Sequence, residues 1–119
     1  MSIDQVAKDF TQAVADDNAE AYQSFWSDDI VSLEPMADSP MARVEGREAL
    51  LGKHAWWEAN AEMHDSTTEG PYVFGDQFAV KYTMDVTMDG ERSQMAEVGI
   101  YTVKDDKIVE ERFFYGTGE

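Results

Sequence analysis

No cysteine occurs among the 119 residues. That removes disulfides, thiolate nucleophiles and cysteine-based zinc sites together. Histidine is nearly as scarce, with only His54 and His64 present. They lie ten residues apart, one in a helical pattern and one in a strand-like one, which is no recognised ligand spacing. No metal and no cofactor are therefore expected. Basic residues number 9 against 25 acidic ones, for a formal charge of −16. Such a field repels phosphate backbones and anionic lipid, so neither nucleic acid nor membrane is an expected partner. The acids are scattered along the chain, which suits a solvated shell better than a binding tail. No run approaches the ~18 apolar residues of a spanning helix. A basic patch leading into an apolar stretch is missing from the N-terminus, so a cytoplasmic protein without a signal peptide is expected. Gly46 and Gly52 make no nucleotide fingerprint. Ser24, Ser27 and Ser93 lack a nucleophile-elbow setting, so covalent catalysis is not expected.

Apolar residues are plentiful, at 43% with three Trp, six Phe and five Tyr. That is enough for the core of one domain spanning 1–119. From Gln77 onward the pattern has a period of two: Phe78, Val80, Tyr82, Met84, Val86 and Met88 alternate with Lys81, Thr83, Asp85 and Thr87. This spacing predicts a half-buried strand. Asp89-Gly90 supplies the positive φ angles of a tight hairpin. A second run from Arg92 to Val103, a turn at Asp105-Asp106 and a third run from Ile108 to Tyr115 complete an antiparallel meander.

Upstream, Ser2 and Gln5 read as a capping box opening a helix over residues 3 to 15, with Ile3, Val6, Phe10, Ala13 and Val14 on one face. Asp16-Asp17-Asn18 ends that helix, and Asp17 with Glu20 predicts the cap of a second. The second carries Ala21, Tyr22, Phe25 and Trp26 and breaks at Asp28-Asp29. Ile30 to Glu34 reads as a short strand stopped by Pro35. A loop from Pro35 to Glu45 leads to Gly46 and a third helix, with Ala49, Leu50, Trp57 and Ala61 inward. Met63 to Glu69 and Tyr72 to Phe74 read as strand, interrupted at Gly70-Pro71. Helices first and a long sheet after make an α+β order.

Several of these segments together carry a resemblance. A helical hairpin ending in Asp-Asp, a strand ending Leu33-Glu34-Pro35, the run Glu45-Gly46-Arg47-Glu48-Ala49-Leu50 and a last hairpin from Ile100 to Arg112 resemble the NTF2-like superfamily. The SnoaL-like branch, which includes polyketide cyclases and relatives of ketosteroid isomerase, is the most similar. The resemblance implies a cystatin/NTF2-like cone: three N-terminal helices packed on a strongly curved, mostly antiparallel sheet. It also implies an apolar pocket at the open end and, in many members, a homodimer. An outer sheet face bearing Met95, Ile100 and Phe114 or their neighbours gives a second reason to expect that homodimer.

Glu34 stands immediately before Pro35, where the resembled isomerases carry an Asp general base. Flanked by Leu33, Met36 and Trp57, it would be desolvated toward a useful pKa; a structural bond at the strand end is the alternative. The isomerase oxyanion donors are absent, because Phe10 stands at the Tyr position and Gly99 at the Asp position. Each missing donor removes ~2.7–4 kcal/mol of stabilisation, so ketosteroid isomerase activity is not expected. The last-strand acid of the resembled cyclases and epoxide hydrolases is replaced by Phe113, with Glu111 two residues earlier. Glu97 shares parity with Tyr101, a side that the resembled hairpin turns inward. The resemblance thus implies that Glu97 projects into the cone beside Tyr82, as a catalytic acid or as a structural Glu bonded to Tyr82, Arg112 or Arg43. His54 is a further candidate base beside Trp57. One of Trp56 and Trp57 must face outward. Phe10, Met36, Trp57, Tyr82, Met84, Tyr101, Glu111 and Phe113 are the candidate substrate contacts.

Two readings of function follow. One is a cofactor-independent isomerase, cyclase, hydrolase or dehydratase acting on a hydrophobic carbonyl or polyketide-like compound, with Glu34 as base and Glu97 as acid or orienting group. The other is a protein without catalysis: a binder of a small lipophilic molecule, or a dimeric scaffold whose cone is filled by its own side chains.

Overall fold

The period-two runs do form the centre of the protein. In the computed structural model, which describes residues 2–35 and 42–116, Gln77–Met88, Glu91–Lys104 and Lys107–Gly116 are strands β4, β5 and β6. Ahead of them lie helices α1 (Ile3–Ala15) and α2 (Ala19–Gln23), strands β1 (Trp26–Leu33) and β2 (Arg43–Glu45), helix α3 (Arg47–Asn60) and strand β3 (Ala61–Phe74). The six strands form one sheet in the order β2-β1-β6-β5-β4-β3, antiparallel except for the β1–β6 pair. Helices packed on this curved sheet make the expected α+β cone. Helix α3 packs against β1 and β2 at one margin of the curled sheet, and α1 packs against β3 at the other. Bulges in β3 and in the β5–β6 pair aid that curl by adding local twist.

Local chemistry explains the ends of the elements. The Ser2 hydroxyl accepts from the Gln5 amide at 3.2 Å, while the Gln5 side chain turns to Asp9, so only half of the capping box forms. Asn18, not Asp17, caps α2, accepting from Ala21 N at 3.2 Å. Asp17 instead takes a left-handed φ of 54°, the conformation that reverses the chain. The second helix is shorter than its aromatic pattern suggests. It stops at Gln23, and Trp26 already opens β1, because Ile108 N donates to Phe25 O at 2.7 Å and pulls this segment into the sheet. Tertiary pairing thus carries β1 through Asp28-Asp29. A short strand, β2, closes the segment expected to be loop, and Ala49 is exposed. Gly70, at φ 124°, brings its α-carbon so near the Ala79 carbonyl that a methyl group there would sit 3.0 Å from that oxygen.

Phe10, Trp26, Ile30, Leu50, Phe78, Val80, Tyr82, Met84, Val86, Tyr101 and Ile108 are buried together in the core. Phe10 meets Phe78 and Tyr101 at ring separations of 5.8 and 4.9 Å. Aromatic pairs at such distances add ~0.5–1.5 kcal/mol beyond area burial. Met95 packs against this core, so it belongs to the inner face rather than the outer one. Its parity with Glu97 and Tyr101 demands this. Met36 and Met41 lie outside the described residues.

Candidate functional site

Strand register assembles the inner face row by row. Tyr82, Glu97 and Tyr115 are direct partners across β4, β5 and β6. Val80, Gly99 and Phe113 form the next row, and Phe78, Tyr101, Glu111 and Ser32 the one after, reaching across to β1. The irregularity in the β5–β6 pair falls between Thr102 and Val103, so Glu111, Phe113 and Tyr115 keep one parity and face the interior. Among these, the buried side chains that carry a polar atom are Tyr82, Tyr101, Ser32 and Glu111.

Helix α3 brings a cation to this face. Leu50, Lys53, His54 and Trp57 recur at helical spacing on its inner side, and Lys53 extends its ammonium over the sheet. Lys53 Nζ lies 2.8 Å from Glu34 Oε1 and donates to Ser32 Oγ at 2.8 Å. It also stands 5.4 Å from the Phe113 ring centre. The Glu34 side chain is only 8% exposed, and the Tyr115 hydroxyl donates to its second oxygen, Oε2. Both oxygens of Glu34 are thus engaged. Ser32 in turn hydrogen-bonds Glu111. A continuous polar string therefore runs Glu111–Ser32–Lys53–Glu34–Tyr115 through an otherwise apolar interior.

Glu97 stands beside that string. Arg43 turns away to Glu45 at 2.6 Å, Arg112 to Glu110 at 3.9 Å, and the Tyr82 hydroxyl to Tyr101 at 2.6 Å. Among the described residues no hydrogen bond or ion pair holds the Glu97 carboxyl, so the structural bonds proposed for it from sequence do not form. Burial, reinforced by the Glu34 charge and opposed by Lys53, pushes Glu97 up to about 7. Glu111 is likewise raised to about 7, by burial against the pull of Lys53. Two interior carboxyls thus titrate near neutrality, a range suited to proton transfer.

The remaining candidates are distributed as follows. His54 packs its ring 5.1 Å from Trp26 and 6.0 Å from Tyr22, and burial and then Lys53 lower it to about 4, so the imidazole is neutral. Trp57 packs against the core while Trp56 is half-exposed. Phe10 and Met84 are core residues. Among the described residues, no group of three or more His, Asp or Glu could hold a metal ion. Lys53, Ser32 and Tyr115 are not among the residues that the sequence marks as candidates. A lysine within the apolar helical stripe between Leu50 and Trp57 was the available signal, and Tyr115 shares its parity with Glu111 and Phe113.

A family model of the SnoaL-like domain matches residues 1–115. The chain belongs to the SnoaL-like family. A solved Mesorhizobium loti structure, of a protein provisionally described as a SnoaL-like polyketide cyclase [carbohydrate phosphatase], is 52% identical to this SnoaL-like domain. The match covers 97% of this chain and 100% of that one, with a TM-score of 0.92. An NTF2-like protein of unknown function from Burkholderia pseudomallei shares the fold at 16% identity and a TM-score of 0.80, over 98% of this chain and 93% of that one. A Xanthomonas campestris protein of unknown function with a cystatin-like fold does so at 18% and 0.79, over 98% and 92%. No curated protein matches the sequence. Among the described residues, no helix of this SnoaL-like domain is long and apolar enough to cross a membrane.

Proposed function

We propose that the cone interior binds a small hydrophobic carbonyl or polyketide-like compound and moves a proton on it, as an isomerase, cyclase or dehydratase without a cofactor. The observation that carries this reading is the Glu97 carboxyl: interior, without a hydrogen-bond partner among the described residues, and poised at about 7. As carboxylate it takes a proton from the carbon next to a carbonyl, leaving an enolate; as carboxylic acid it returns that proton to another carbon. Glu34, with both oxygens occupied, serves in this reading to fix Lys53. The SnoaL-like relative at 52% identity, provisionally described as a polyketide cyclase, supports the same substrate class.

Turnover of a hydrophobic ketone and lactone panel by the native protein and by Glu97→Gln tests the proposal. Loss of the acid–base group is expected to lower the rate ~10²–10⁴-fold. The pH profile of the native protein should break near 7, and carbon-detected NMR should show a glutamate titrating there. A Glu97 titration at the ordinary carboxylate position, or full activity in the variant, overturns the proposal. If compounds bind and none turns over, the cone is that of a lipophilic-ligand binder, a reading favoured by the absence of donors at Phe10 and Gly99.

A homodimer is part of the proposal. Val98, Ile100 and Phe114 point to the outer face, and Phe114, Tyr72 and Phe74 are 48%, 64% and 88% exposed. Apolar groups of this size on one face are expected to be covered by a second copy. Light scattering at micromolar concentration should give twice the chain mass of 13.4 kDa; a monomer would overturn this assignment.

A further inference from the structure

Tyr82 and Tyr101 form a pair whose hydrogen bonds do not balance. Their hydroxyl oxygens lie 2.6 Å apart, and the two residues are 9% and 3% exposed. Two hydroxyls carry two protons, and the bond between them uses one. Among the described residues neither hydroxyl has another partner, so the second proton has no acceptor among them. A buried donor left so is costly, and a ligand oxygen is the natural acceptor. Burial, the largest influence on both, raises the two phenols above their ordinary value, so the pair stays protonated and donating across the physiological range.

The position of the pair adds a second observation. Gly99 offers no side chain where the resembled isomerases carry an acidic donor. The room beside its α-carbon is already taken: a methyl group at Gly99 would meet the Tyr101 hydroxyl at 2.8 Å and the Phe113 ring at 3.0 Å. Tyr101 thus bends its hydroxyl back into the space that a longer residue at 99 would fill. Tyr82 lies directly across from Glu97, so the hydroxyl pair and the Glu97 carboxyl belong to one wall of the cone.

We infer that the Tyr82–Tyr101 pair is the carbonyl-binding donor of this site, standing in for the donors missing at Phe10 and Gly99. The inference rests on the small-molecule reading above and narrows its substrate to compounds whose carbonyl oxygen lies within reach of the proton-accepting Glu97. When Glu97 removes a proton from the neighbouring carbon, the C–H electron pair becomes the enolate double bond and the carbonyl oxygen gains the negative charge. The hydroxyl pair is then positioned to donate to that oxygen. A preorganised donor of this kind matters more to an enolate than to the ketone from which it forms.

Acetophenone labelled with carbon-13 at the carbonyl, with ethylbenzene as its oxygen-free counterpart, tests the pair in the full chain. The infrared carbonyl band of bound acetophenone is expected below its position in apolar solvent. Tyr82→Phe and Tyr101→Phe should return the band toward that position. They should weaken acetophenone about 3–10-fold, as expected for a lost neutral hydrogen bond, and leave ethylbenzene affinity unchanged. Glu97→Gln should leave the band in place, separating the donor from the proton acceptor. Both Phe variants keep the rings that pack the core, and the band of the native protein is a readout that needs no variant. Bound acetophenone with its band at the apolar position, or with a band that neither variant moves, overturns the inference and leaves the small-molecule reading standing. If neither acetophenone nor ethylbenzene binds, both fall.

Discussion

Replacing Lys53 by Met is expected to lower the stability of the protein by ~3–5 kcal/mol, the usual cost of removing one partner from a buried ion pair. For a domain of this size that is a fall in melting temperature of roughly 10–20 °C. The side chains of Lys53 and Glu34 are 14% and 8% exposed, so water cannot take over the lost contact. Met fills a similar volume and keeps the apolar stem, which isolates the charge. Without the ammonium, Glu34 stands uncompensated beside Glu97 and Glu111, and Ser32 loses a donor. Lys53→Met combined with Glu34→Leu should recover most of the loss, because a paired charge replaced by matched apolar groups is near neutral. A single variant as stable as the native protein, or a double variant no better than the single, would show that the pair does not act as a unit. Lys53 also pulls Glu97 downward, so its removal should move the Glu97 titration above about 7.

Stability should fall as pH rises from 5 to 8, against the ordinary behaviour of salt-bridged carboxylates. Glu97 and Glu111 each titrate at about 7 in the folded protein against 4.5 ordinarily. Between those values the folded state holds more protons than the unfolded one, so unfolding free energy decreases with pH. His54 acts in the opposite direction, since its folded value of about 4 lies below the usual 6.5. Its stabilising contribution grows up to about pH 6.5 and is then complete. Two carboxyls against one imidazole leave a net loss of about 3 kcal/mol across the range. Glu97→Gln removes one carboxyl from this balance. It should melt higher than the native protein at pH 8, by the equivalent of ~2–3 kcal/mol, and differ by under ~1 kcal/mol at pH 5. Thermal melts of both proteins at the two pH values decide it: an equal offset at pH 5 and pH 8 contradicts the raised carboxyl. Overall repulsion among the surface acids also weakens with acidification, but it is common to both proteins and cancels in the comparison.

These two results probe a site only partly legible in the sequence. The period of two between Phe78 and Met88 and the turns at Asp89-Gly90 and Asp105-Asp106 are local signals, and local backbone preference decided them. Position 3 to Ala15 as helix follows from its apolar spacing and its Ser2 cap in the same way. The parity that sets Glu97 on the face of Tyr101 follows from the pleat alone. Trp26 is different. Its neighbours Tyr22 and Phe25 made a helical pattern, and only pairing with Ile108, eighty-two residues on, drew it into a strand.

The sequence by itself determined the α+β order, the excess of acidic residues, the absence of cysteine chemistry and the shared parity of Glu97 and Tyr101, because each depends on composition or on near-neighbour geometry. That Glu111 faces inward was decided by the β5–β6 register. Tertiary structure alone decided which charges meet. Lys53 reaches Glu34 and Ser32 because α3 crosses the sheet, and Tyr115 reaches Glu34 because the first and last strands lie parallel. Among the described residues Glu97 has no hydrogen bond or ion pair, and Lys53 is already held by Glu34 and Ser32. Ionisation in a site depends on the sum of distant charges and on how much water remains, and neither quantity is written in the order of residues.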